Sequence, residues 1–156
     1  MIETVRETRA AHEETIKEGT ILQGQGMKST SVNNKRASIL VVDDDESIRD
    51  LLTLALPKQY ICASAATAEE ALGLLDRTFF DVVITDVEMP GGSGLELCRQ
   101  ICKGYPDTVV LVMSGSIKSR NRINALQHGA FDYVSKPFDL EIVARLIDYA
   151  LLPPSA

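Results

Sequence analysis

Five short runs rich in Val, Ile and other apolar residues, each followed by a longer segment of helical period, constrain the fold more than any other feature of the chain. The runs cover residues 39–42, 60–63, 82–85, 109–113 and 133–135. Apolar positions recur at helical spacing over residues 47–56, 68–77, 95–103, 118–128 and 140–151. The first, third and fourth runs are apolar without alternation, so both faces of those strands need cover. Strands covered on both faces belong in a parallel sheet flanked by helices, and five strand–helix units predict an open α/β fold.

Local signals agree with this division. Thr67 stands before a helix that carries Glu69 and Glu70 in its first turn, and Ser93 is placed to cap the helix that opens at Gly94. Gly129 follows His128 as a helix-ending residue, and Pro153 and Pro154 stop the last helix. A chain of 156 residues accommodates one such domain and is short for two. The expected organisation is an N-terminal extension over residues 1–36, a domain over 37–152 and a tail over 153–156. Weak helical periodicity at Ile2, Val5 and Ile16, followed by a Gly-, Ser- and Asn-rich stretch, predicts a short helix and a flexible linker in the extension.

Several function classes are disfavoured. No stretch approaches the roughly 18 apolar residues of a membrane helix, and the N-terminus, with Glu3, Arg6 and Glu7, lacks the apolar core of a signal peptide, so the cytoplasm is expected. Cys62, Cys98 and Cys102 form no paired framework; Cys98 and Cys102, at i, i+4 with no histidine nearby, read as core packing. The formal net charge is −6, and residues 37–156 carry ten Lys or Arg against seventeen Asp or Glu. An acidic globular part argues against direct nucleic-acid binding, which draws its affinity from cations facing phosphates.

Chemistry gathers at the strand ends. In an open α/β sheet, ligands bind outside the carboxyl ends of the strands, beside the point where strand order reverses. The first strand ends in Asp43 and Asp44, the third in Asp86, the fourth in Ser114, and the fifth in Lys136, followed by Pro137. Two negative charges about 4 Å apart repel by roughly 4 kcal/mol at an effective dielectric of 20, so such a cluster needs cations. Lys136 supplies one, and an all-oxygen site that keeps waters suits Mg²⁺. Carboxylate, Mg²⁺, lysine and hydroxyl together suit phosphoryl transfer, with Asp86 as nucleophile and Lys136 and Ser114 around the phosphoryl oxygens.

The segments ILVVDDDESIRDLL, DVVITDVEMPGGSGLELC, VVLVMSG and GAFDYVSKPF resemble, in order and spacing, the signatures of response-regulator receiver domains of two-component systems (CheY-like). The resemblance implies a doubly wound (βα)5, flavodoxin-like three-layer sandwich with parallel strand order 2-1-3-4-5. It implies that Asp86 is the phosphoacceptor, that Asp43 and Asp44 serve Mg²⁺, and that Glu88 lends the metal its backbone carbonyl. Ser114 matches the switch hydroxyl, Lys136 the site's cation and Tyr133 the aromatic that rotates on activation, while Asp45 receives no role. A cis Lys136–Pro137 bond is implied too. One departure is Ser93, where many relatives carry Asp; a cap survives that exchange.

The implied partners are a sensor histidine kinase or phosphotransfer protein as donor, and a downstream effector protein or an effector domain absent from this chain. The effector is implied to read the face formed by the fourth helix, fifth strand and fifth helix, through which a homodimer is also implied. Such a protein is a phosphorylation-dependent switch, catalysing only its own phosphorylation and dephosphorylation. Two other readings use the same residues. VVDDDES resembles the Asp-x-Asp opening of haloacid-dehalogenase-type phosphatases, with Asp43 as nucleophile and Asp45 as general acid. That fold needs an acidic pair on a further strand after Lys136, where this chain has a helical pattern, and it leaves Asp86 without a task. The other reading is a receiver-like docking module that no longer takes phosphate.

Overall fold

The computed structural model describes residues 35–115 and 119–154, with only the backbone course of 119–121. The helix and linker expected in the N-terminal extension lie, up to residue 34, outside the described residues, as does the first residue of the helix expected over 118–128. Five strands, β1 (Ser38–Val42), β2 (Ile61–Ala65), β3 (Val82–Asp86), β4 (Val109–Ser114) and β5 (Asp132–Ser135), alternate with five helices. These are α1 (Glu46–Ala55), α2 (Ala68–Leu75), α3 (Gly94–Gly104), α4 (Ser119–Gln127) and α5 (Leu140–Ala150). All strand pairs are parallel, in the order β2-β1-β3-β4-β5. The expected doubly wound fold is therefore the observed one.

Alternate strand residues build two cores, one on each face of the sheet. Leu40, Val42, Val83, Val110 and Val112 pack with Ala71 and Leu75 of α2, Leu97, Cys98 and Ile101 of α3, and Ala125 of α4. Ile39, Val41, Val82, Ile84, Leu111 and Met113 face the other way, against Leu52 of α1 and Val143 and Ile147 of α5. Double coverage of the three central strands is what their unbroken apolar runs require. The same packing accounts for the cysteine pair: Cys98 is fully buried, and burial, reinforced by Cys102, pushes its thiol up to about 12.

Side chains fix the helix starts. Thr67 Oγ1 accepts from the Glu70 amide, and Ser93 Oγ from the Leu95 amide, as their positions predicted. Asp139 caps α5 in the same way. The second strand departs from expectation: it starts at Ile61 rather than Tyr60 and runs on to Ala65. Tyr60 instead closes a turn, its amide bonded to the Pro57 carbonyl at 3.0 Å, and its buried ring delivers the hydroxyl to Asp148. On this edge strand the register against β1, Ser38↔Ile61 to Val42↔Ala65, sets the limits, and apolarity does not.

Candidate functional site

The sheet register assembles the site. Val42 pairs with Thr85, so one step further Asp43 and Asp86 stand side by side at the carboxyl edge, where strand order reverses between β1 and β3. Asp43 is wholly buried and Asp86 is 4% exposed, whereas Asp44 is open to solvent. One carboxylate oxygen from each of Asp43, Asp44 and Asp86 falls within 4.8 Å of the others. Lys136 reaches across from the end of β5: its Nζ donates to Asp43 Oδ2 at 2.7 Å and lies 3.4 Å from Asp86 Oδ1. The Lys136–Pro137 peptide is cis, as the resemblance implied.

The remaining expected residues take distinct places. Ser114 is wholly buried at the end of β4, and its carbonyl accepts from the Lys136 amide at 2.8 Å, which ties the hydroxyl-bearing residue to the lysine. Glu88 has an exposed side chain, and its backbone lies close enough to the Asp86 carboxylate to pull that group's pKa down slightly. Tyr133, half-buried on β5, packs against the core on the α3 side. With Pro137, Phe138, Ile142 and Leu146 it also lines a recess of about 190 Å³.

Burial is the main influence on Asp86 and raises its pKa; Lys136 pulls it down and Asp43 pushes it up again, with a net rise. Burial alone would depress Lys136, but its bonds and charge interactions with Asp43 and Asp86 outweigh that, and its pKa is raised. One ammonium thus leaves the three acids under-neutralised. The donor set is entirely oxygen and one member is open to water, which fits a hard divalent ion that keeps part of its hydration, as Mg²⁺ does. The tension has a measurable effect on stability. A carboxyl whose folded pKa is raised favours the fold while protonated, and that contribution is lost as pH rises through the folded pKa. Asp86→Asn should therefore raise the unfolding midpoint at neutral pH in EDTA, and the gain should fade on acidification. Thermal melts of both proteins across pH would reveal it, and a constant difference at all pH values would contradict it.

Three contributors were not legible as such in the sequence. Asp45, left without a role, is the cap of α1: its Oδ1 accepts from the Ser47 amide at 2.9 Å, and its own amide bonds Asp43 Oδ1 at 2.9 Å. This employs the residue that the phosphatase reading needed as general acid. Arg49, one turn into α1, donates to the carbonyls of Asp43 and Asp44. An arginine early in a helix, where the macrodipole disfavours a cation, is the signal that could have drawn attention to it. Gly94 meets the site from below: an added Cβ would lie 1.7 Å from the Asp86 carbonyl oxygen.

Residues 39–148 match the family model of the response regulator receiver domain. The chain is 38% identical over 117 residues to response regulator protein PilR of Pseudomonas aeruginosa, covering 74% of this chain and 26% of PilR. It spans about a quarter of the length of the first curated relatives it matches. Among solved structures, it is similar to response regulator TrrA of Thermotoga maritima in complex with Mg²⁺ and BeF, at 34% identity and a TM-score of 0.67. That match covers 74% of this chain and 99% of TrrA. It is also similar to the beryllofluoride-activated NtrC4 receiver domain dimer, at 35% identity and a TM-score of 0.69, covering 72% of this chain and 94% of that one. Members of the family act as signalling switches rather than as conventional enzymes, and no helix among the described residues is long and apolar enough to cross a membrane. Strand order, edge chemistry and sequence likeness coincide over the same residues, and the chain belongs to the response-regulator receiver domains of two-component systems.

Proposed function

We propose that residues 37–152 are a working receiver, flanked by an extension over 1–36 and a tail over 153–156, in which Asp86 accepts a phosphoryl group. The donor is the phosphohistidine of a sensor histidine kinase or phosphotransfer protein, in the cytoplasm. The observation that carries this reading is the buried Asp86 carboxylate at the tip of β3, 3.4 Å from the Lys136 ammonium and grouped with Asp43 and Asp44. An ionised oxygen there is a poised nucleophile, and its surroundings supply positive charge where phosphoryl oxygens would gather.

Asp43, Asp44 and Asp86, with the Glu88 backbone carbonyl, would hold Mg²⁺, and TrrA's complex with Mg²⁺ and BeF supports that choice. Bound there, Mg²⁺ would screen charge between the incoming phosphoryl oxygens and the acids. Asp86 attacks phosphorus, the histidine nitrogen leaves, and an acyl phosphate remains on β3. Lys136 keeps its ammonium toward the new oxygens, and Ser114 offers its hydroxyl to one of them. That displacement of Ser114 makes room for Tyr133 to turn inward, which alters the α4-β5-α5 face where Tyr133 and Ile142 line one recess. A partner protein, an effector domain beyond this chain or a second copy then reads that face, with no direct contact to nucleic acid.

The test is incubation with acetyl phosphate and Mg²⁺, read by intact mass. The wild type should gain one phosphoryl group, and the gain should disappear in EDTA and in Asp86→Asn. A wild type that stays unmodified while folded would leave a docking module in its place.

A further inference from the structure

The β1–α1 loop carries two of the three clustered acids, yet it leaves the sheet just where ladder bonding stops. Asp43 still donates its amide to the Ala65 carbonyl at 3.1 Å. The ladders of β1 end at Val42, and the Asp43 and Asp44 carbonyls beyond it need donors from elsewhere. Arg49 supplies them: its Nη1 donates to the Asp43 carbonyl at 2.7 Å and to the Asp44 carbonyl at 3.1 Å. Among the described residues it is the one side chain that hydrogen-bonds Asp44, which is exposed and lies outside any helix or strand. Helical side chains tilt toward the N-terminus, so a long one a turn into α1 reaches back over this loop.

We propose that Arg49 is a positioning residue of the acidic site, holding the loop so that the Asp43 and Asp44 carboxylates stand ready for a divalent cation. The inference rests on the Mg²⁺ reading given above. Two effects of the guanidinium oppose each other. Its charge repels a nearby cation, so losing it would strengthen metal binding; its clasp orders the ligands, so losing it would weaken binding. The geometry favours the clasp, because the donors go to main-chain oxygens and not to a carboxylate. Partners that orient metal ligands are worth about 10–100-fold in affinity.

Mg²⁺ titration by calorimetry, with thermal unfolding in EDTA as the check on folding, separates the outcomes. Arg49→Ala should raise the Mg²⁺ Kd about 10–100-fold. Phosphoryl uptake from acetyl phosphate should then demand more Mg²⁺ and recover once the metal saturates. Arg49→Lys keeps the charge and a donor nitrogen but on a shorter, non-planar group that holds the two carbonyls less firmly, so its Kd should rise by a smaller factor; it carries the test should the alanine variant not fold. Unchanged or tighter Mg²⁺ binding in both variants, with the wild type binding normally, would overturn the positioning role alone. A wild type that binds no Mg²⁺ would overturn this role and the reading beneath it.

Discussion

Gly94→Ala is expected to cost the domain about 3 kcal/mol or more, at or beyond the upper end of ordinary overpacking. A helical glycine replaced by alanine normally gains up to about 1 kcal/mol, because alanine is the better helix former. At this position the gain is overwhelmed. The new methyl would sit 1.7 Å from the Asp86 carbonyl oxygen, 2.6 Å from its carbon and 2.9 Å from the Val87 Cα, all backbone atoms that cannot rotate away. Relief requires α3 to lift from the end of β3, which breaks the bond from the Gly94 amide to the Val87 carbonyl and displaces the Asp86 peptide. Gly73 in α2 provides the contrast, since a Cβ there meets nothing within 4 Å. Urea denaturation should show Gly73→Ala as stable as the wild type or more so, and Gly94→Ala with a much lower midpoint. Equal midpoints for the two variants would contradict the packing of α3 against Asp86.

Lys136→Met should have the second large effect, and one that depends on pH. The substitution leaves Asp43, wholly buried, with the Asp45 amide but without a cation. Breaking a buried pair costs about 3–5 kcal/mol; with the Lys136 side chain 20% exposed, solvent screening brings the expectation nearer about 2–3 kcal/mol. The sign follows from linkage. Lys136 has a raised folded pKa, so its contribution is complete throughout the neutral range and lost only as pH rises through that value. Asp86, already raised by burial, loses the ammonium that pulled it down and rises further in the variant. The deficit should therefore be greatest at neutral pH and shrink as acid protonates the carboxyls. Melts of wild type and variant in EDTA over mildly acidic to neutral pH would measure it, and a deficit that grows on acidification would count against it.

How far the sequence carried the site can be judged from single residues. Ile39 to Val42 and Val82 to Ile84 announced central strands because double coverage removes polar alternation, and their ends located Asp43 and Asp86. Lys136 and Ser114 followed from the same logic of strand ends. Tyr60 misled because its apolar ring serves a turn and meets Asp148, a partner 88 residues away that no local period reveals. Arg49 and Gly94 were hidden for a related reason. One acts through main-chain carbonyls, which every residue possesses, and the other through a missing atom, whose value appears only when α3 is laid on β3. Asp45 lay among three adjacent acids, and only the start of α1 distinguishes the cap from the cluster.

The most direct measurement locates the phosphoryl group itself. The protein, incubated with acetyl phosphate and Mg²⁺, is reduced with borohydride, which converts an aspartyl phosphate to homoserine, and digested for peptide mass spectrometry. Homoserine should appear at position 86 and at no other aspartate, in proportion to the mass gained by the intact chain. Homoserine at position 43, or a folded, metal-supplied protein with none at position 86, would contradict the assignment of Asp86 as phosphoacceptor.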